Sequence, residues 1–193
     1  MTPSQTLERL YRAGVAAADP YAATRAALKP QQLGARTWII AVGKGAQPMA
    51  RGAVDALAQW HRSPIGGVIV APNDDGLGAV PMPTIVGDHP VPGASSLKAA
   101  DAVGDVTRLV RRGDDVVVLL SGGASSLMAA PVYGVPPVAL VALFDGLQRS
   151  GAPIATMNAF RRRVLRWGGG RLAQALRGAR VTVLIASDVI GGE

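Results

Sequence analysis

The sequence predicts a three-layer α/β domain built on a mainly parallel sheet, and three observations carry that expectation. Short runs rich in valine and isoleucine alternate with longer stretches of helical periodicity. The runs are bounded by glycine, serine or proline and lack polar alternation, as strands buried on both faces do. The apolar fraction of 49% comes with only 4% aromatic residues and with much alanine and glycine, a composition that lets helices lie close on a sheet.

Taken in order, Leu7, Leu10, Tyr11 and Val15 recur at helical spacing, so residues 4–18 read as an amphipathic helix. Asp19-Pro20 supplies a cap followed by proline at the first helical position, opening a second helix to about Leu28. Trp38 to Val42 is a buried strand that runs into Gly43-Lys44-Gly45, and Met49, Val54, Leu57 and Trp60 mark the helix beyond it. Gly67 to Val70 is a second strand, 71–83 a loop, and Thr84 to Val86 a third strand ending in Gly87-Asp88-His89-Pro90. Residues 94–112 are helical in pattern. Asp115 to Leu120 is the clearest strand, and Ser121-Gly122-Gly123 ends it. Two or three helices fill 136–177 around Gly168-Gly169-Gly170, and a last strand, Arg180 to Ala186, leads into Ser187-Asp188. Alternating strands and helices imply right-handed crossovers, and ligands of such sheets bind outside the carboxyl ends of the strands.

The composition narrows the function. The chain has no cysteine, which excludes disulfides and thiolate metal sites, and its two histidines are far apart in sequence. No run approaches the ~18 apolar residues of a membrane span, and the N-terminus lacks a secretory core, so a cytoplasmic location is expected. The net charge of +7 comes nearly all from arginine. No aromatic residues interleave with the basic ones as a stacking platform requires, so anionic metabolites are the expected partners rather than nucleic acid or membrane.

Three strands end at the carboxyl edge in turns suited to an anion. Gly43-Lys44-Gly45 is not a Walker A loop, since the first glycine and the Ser/Thr are missing. It still offers backbone N–H groups, a helix N-terminus and a lysine. A lysine there opposes the helix dipole unless an anion is bound, which favours function over a plain turn. Ser121-Gly122-Gly123-Ala124-Ser125 adds glycines for close backbone approach and hydroxyls for phosphate oxygens, though an ordinary turn would read the same way. Asp188 follows the last strand as a base, a Mg²⁺ ligand or a cap. Asp88-His89 reads as structural, with Asp88 a turn or capping residue. Asn158 reads as a cap before Arg161-Arg162-Arg163. On a helix Arg162 and Arg166 share a face and Arg161 points elsewhere, so one or two of these arginines reach a site.

In order, AVGKGAQPMARGA (41–53), GDHPVPGASSLKAA (87–100), LLSGGASSLMAAP (119–131), MNAFRRRVLRWGGGRLAQAL (157–176) and LIASDVIGGE (184–193) resemble the N-terminal part of the glycerate 2-kinase family. This is the kind with a MOFRL domain, whose members often bear the name hydroxypyruvate reductase. The resemblance implies a Rossmann-like N-terminal domain and ATP- and Mg²⁺-dependent phosphorylation of D-glycerate at its 2-hydroxyl, in a cleft closed by a second domain that this chain lacks. It implies that Lys44 steers the transferred phosphoryl group. Gly43, Gly45, Ser121, Gly122, Gly123, Ser125, Asn158, Arg161 and Arg171 bind substrate or phosphate, and Asp188 acts as base or metal ligand. The chain departs from the family at Gly168, where a lysine is usual. With 1–193 forming one incomplete domain, the expectation is an N-terminal kinase lobe that is inactive alone and that self-associates or meets a separately encoded partner domain. The rival expectations are a non-catalytic phosphate- or nucleotide-binding module and a hydroxypyruvate reductase. The latter is disfavoured because no G-x-G-x-x-G turn follows a strand.

Overall fold

The computed structural model describes residues 2–75 and 80–187. Five strands form one sheet in which every neighbouring pair is parallel: β1 (Thr37–Val42), β2 (Gly66–Ala71), β3 (Thr84–Val86), β4 (Asp115–Ser121) and β5 (Arg180–Ala186). Their spatial order is β3-β2-β1-β4-β5. The order reverses between β1 and β4, which makes the space beyond their carboxyl ends the switch point where ligands of doubly wound sheets bind.

Every residue of β1 is buried, as the unbroken apolar run predicts. Alternate residues feed two cores. Ile39 and Ala41 of β1, Ile69 of β2 and Val117 and Leu119 of β4 meet the helix α3 (Ala46–Gln59) through Met49, Ala50, Ala53 and Leu57. On the other face, Trp38, Ile40 and Val42 with Val68, Val116 and Val118 meet the helix α4 (Ala94–Leu109) through Ala99, Val103 and Val106. Alanine on the contacting helix faces brings the helices close to the sheet, and the result is the expected three layers.

The N-terminal helices begin where the capping chemistry places them. Helix α1 (Pro3–Ala17) has a complete capping box between Thr2 and Gln5. Helix α2 (Pro20–Ala27) is capped by Asp19, which accepts from the Tyr21 N–H. Helix α2 lies against α3, tied by the Tyr21 hydroxyl donating to Asp55 at 2.8 Å. Helix α1 buries none of its residues, so its apolar stripe is exposed.

Between β4 and β5 the chain makes four helices: α5 (Ala124–Leu127), α6 (Pro137–Arg149), α7 (Ile154–Val164) and α8 (Arg171–Ala175). The single turn α5 forms inside what reads in sequence as a glycine-serine turn. Helices α6 and α7 close a small core of their own around Phe144, Leu140, Ala129 and Leu165. Asn158, expected as a cap, lies inside α7, whose N-cap is Pro153. Proline at that position pre-sets the extended backbone from which the helix starts, and no side chain caps it.

The amino edge of the sheet is locked by two buried aspartates. Asp114 accepts from Arg36 Nε at 2.7 Å, Trp38 Nε1 at 2.8 Å and the Arg111 N–H at 3.0 Å. Asp115 accepts from Arg180 through two bonds of 2.8 Å and from the Gly34 N–H. The Arg36 hydrogen bond above all holds the Asp114 carboxyl far below the ordinary carboxylate range. This edge carries structure and the opposite edge is left free for chemistry.

Candidate functional site

At the carboxyl edge the turns after β1 and β4 are joined to each other. The Lys44 N–H donates to the Gly122 carbonyl at 2.9 Å, and the Gly45 N–H donates to the Ser121 hydroxyl at 2.9 Å. Gly43 has φ +129°, and a Cβ on it would collide with the Ser121 hydroxyl and carbonyl, so only glycine lets the two turns approach. Gly123 has φ +88° and starts α5; a Cβ there would lie 2.9 Å from the His89 ring. The backbone of both turns is thereby fixed, while the Lys44 side chain stands exposed at their rim.

Beside the β4 turn lies a cleft of about 630 Å³ whose walls include Leu120, Ser125, Met128, Asn158, Arg161 and Trp167. Trp167 is held in place by its Nε1 donating to the Ala100 carbonyl at 2.8 Å. The Ser125 hydroxyl and the Asn158 amide make no side-chain hydrogen bond to another described residue and are free to meet a ligand.

Arg161 is the unusual member. It is only 8% exposed, it packs over the Phe144 ring at 4.6 Å, and no described carboxylate pairs with it. Its Nε is out of solvent and has no hydrogen-bond partner among the described residues. Burial pushes its pKa down, which is the electrostatic signature of a cation held without a counter-charge. A buried charge of this kind costs stability unless an anion completes it.

The other expected residues fall on both sides of the line. Gly43, Lys44, Gly45, Ser121, Gly122 and Gly123 form the joined turns, and Ser125, Asn158 and Arg161 line the adjoining cleft. Arg171 is outside it: its guanidinium donates to the carbonyls of Arg162, Arg163 and Leu165, which end α7. Arg166 has left the helix and pairs with Asp101 instead of sharing a face with Arg162. Gly168, where a lysine was expected from the resemblance, lines the cleft. Asp188 lies outside the described residues.

Among the described residues no three His, Asp or Glu side chains stand together as metal ligands. The cleft walls offer the cations Arg161 and Arg162, the Ser125 hydroxyl and the Asn158 amide, which suit phosphate and carboxylate oxygens rather than Mg²⁺. No helix among the described residues is long and apolar enough to cross a membrane.

Residues 6–193 match the family model described as a domain of unknown function, DUF4147. The chain belongs to the DUF4147 family. Curated proteins similar to this DUF4147 chain include a D-glycerate 2-kinase of Thermotoga maritima, 34% identical over 81% of this chain and 37% of the relative. A glycerate 2-kinase of Pyrococcus horikoshii is 32% identical over 95% of this chain and 43% of the relative. A protein of Agrobacterium vitis, provisionally named a hydroxypyruvate reductase, is 34% identical over 98% and 42%. The crystal structure of a Thermotoga maritima glycerate kinase superposes with a TM-score of 0.82 at 31% identity, over 98% of this chain and 46% of that one. The DUF4147 chain thus spans about two fifths of the length of the relatives it matches, and its fold is theirs.

His89, which reads as structural in the sequence, is exposed and stands beside Gly123 at the β4 turn of this DUF4147 chain. Asp88 does act as a cap, its Oδ2 accepting from the Ser95 and Ser96 N–H groups at the start of α4. That anchor leaves His89 against Gly123, where partial burial first, and then the charges of Lys44 and Arg161, push its pKa below the ordinary value of 6.5. Nothing in linear sequence brings His89 beside the turn after β4. The available signal was that Asp88-His89 directly follows β3 and therefore sits on the ligand edge.

Proposed function

We propose that this chain is the N-terminal lobe of an ATP-dependent glycerate 2-kinase, transferring a phosphoryl group from ATP to the 2-hydroxyl of D-glycerate, and that it does not complete that reaction alone. The observation that carries the reading is Arg161, a buried cation without a counter-charge, in a cleft beside the joined glycine turns. Phosphoryl transfer is largely positioning and charge stabilisation, and this edge supplies the parts for both. The N–H groups of Gly43, Lys44 and Gly45 are engaged within the fold, so the Lys44 side chain and the N–H groups of the β4 turn suit phosphate oxygens, while Arg161, Asn158 and Ser125 suit a small carboxylate. ATP, when bound, supplies the transferred group.

The relatives named as kinases support this reading, and they are more than twice as long as the chain. Near-attack geometry with water excluded is worth about 7–11 kcal/mol, and one wall of a cleft does not supply it. The reductase reading, which the Agrobacterium name brings, has no dinucleotide fingerprint to rest on. Calorimetry separates the two. The chain is expected to bind ATP, with Lys44→Ala weakening binding about ten- to a hundred-fold, and to show no NADH binding. NADH binding without ATP binding would reverse the assignment.

A further inference from the structure

The last four carbonyls of a helix have no partner inside it, and at the end of α7 they belong to Arg162, Arg163, Val164 and Leu165. The Val132 N–H takes the Val164 oxygen at 2.8 Å. A single side chain takes the other three. Arg171 Nε donates to the Leu165 carbonyl at 3.0 Å, and its Nη2 donates to Leu165 at 2.7 Å, to Arg163 at 3.2 Å and to Arg162. A planar guanidinium presents its donors in a fixed fork, which a flexible ammonium does not. Its charge also complements the negative end of the helix dipole.

Arg171 is itself anchored. It opens α8, and the next residue, Leu172, is buried with Trp38, Val116 and Val118 in the core on the α4 face of the sheet. Helices α6 and α7, by contrast, pack on their own small core around Phe144. Arg161 stands in the last turn of α7, the turn whose carbonyls Arg171 holds, and it lines the cleft. Where its guanidinium points therefore depends on how that turn is tied to the sheet. We propose that Arg171 is a positioning residue: it fixes the end of α7 to the sheet so that Arg161 faces the cleft, and it does not touch the bound anion. The inference rests on the anion-site reading above. It gives Arg171 a different role from the substrate contact that the resemblance implies.

The test reads the Arg161 Nε–H signal of the full chain by nitrogen-15 NMR, beside the affinity for inorganic phosphate by calorimetry. In Arg171→Ala the Arg161 signal is expected to move toward that of solvent-exposed arginines before any phosphate is added. Phosphate affinity then falls about tenfold. Arg62→Ala is the control: Arg62 donates to the carbonyls of Pro30 and Leu33 before β2, at the amino edge, and its loss should change neither reading. If Arg171→Ala does not fold, Arg171→Lys keeps the charge without the fork and is read by the same two measures, with an expected loss of about threefold. Weaker phosphate binding with an unmoved Arg161 signal makes Arg171 a direct contact and overturns the proposal. Phosphate affinity that stays at the wild-type value overturns it too, whatever the Arg161 signal does, and leaves Arg171 a helix cap. If phosphate does not bind the wild-type chain, the anion-site reading fails and this inference fails with it.

Discussion

At the scale of single residues, Arg161 separates stability from function. A buried guanidinium without a carboxylate is a cost to the fold, partly offset by the Phe144 ring beneath it. Arg161→Met fills the same space without charge. The expected outcome is unchanged or raised stability in urea unfolding, together with a ten- to hundred-fold loss of phosphate affinity from removing charge-assisted contacts worth about 1.5–3 kcal/mol. A variant that is strongly destabilised yet binds phosphate normally would make Arg161 a structural residue. The resemblance named Arg161, whereas helical spacing by itself set Arg162 and Arg166 on one face and Arg161 on another. In the fold α7 ends at Val164, which removes Arg166 from the helical face and leaves it to pair with Asp101.

At the scale of elements, the strands were legible, and so were the helices of 136–177, three of which form around Gly168-Gly169-Gly170; the short α5 and the packing of α6 and α7 were not. A strand buried on both faces announces itself as an apolar run, and all five expected strands form, although the runs of β3 and β5 belong to outer strands that keep exposed residues. Helices α6 and α7 pack on a satellite core around Phe144 rather than on the sheet, so their apolar positions follow a local neighbour that no pattern along the chain reveals. The amino edge offers an element-scale test. Asp114 is 3% exposed and its carboxyl is held below its ordinary range, chiefly by Arg36. A carboxylate depressed in the folded state stabilises the fold above its unfolded value near pH 4 and loses that contribution as pH falls towards the folded value. Asp114→Asn is therefore expected to cost about 1.5–3 kcal/mol at neutral pH. The gap between wild type and variant should narrow as pH falls below about 4. Equal urea midpoints at neutral pH would show that the Arg36–Asp114–Trp38 cluster contributes nothing net.

At the scale of the whole molecule, two of the apolar faces exposed among the described residues lie on β5 and α1. Val181, Val183 and Ile185 are exposed on β5 at the end of the sheet order, and Leu7, Leu10, Tyr11 and Val15 are exposed on α1. An edge strand with an apolar face invites association. Sedimentation of the purified chain is expected to show concentration-dependent self-association that Ile185→Lys reduces; a monomer at all concentrations would argue that these faces are inert. One anion site, built from the turns after β1 and β4 and the Arg161 segment of α7, carries the proposed chemistry. The most direct test is a chemical-shift titration of the isotopically labelled chain with ATP. The amides of Gly43 to Gly45, Gly122 to Ser126 and the stretch around Arg161 should move together on one binding curve, and Arg161→Met should weaken all of them at once. Shifts confined to α1 or to the amino edge, or no shift at these three segments, would contradict it.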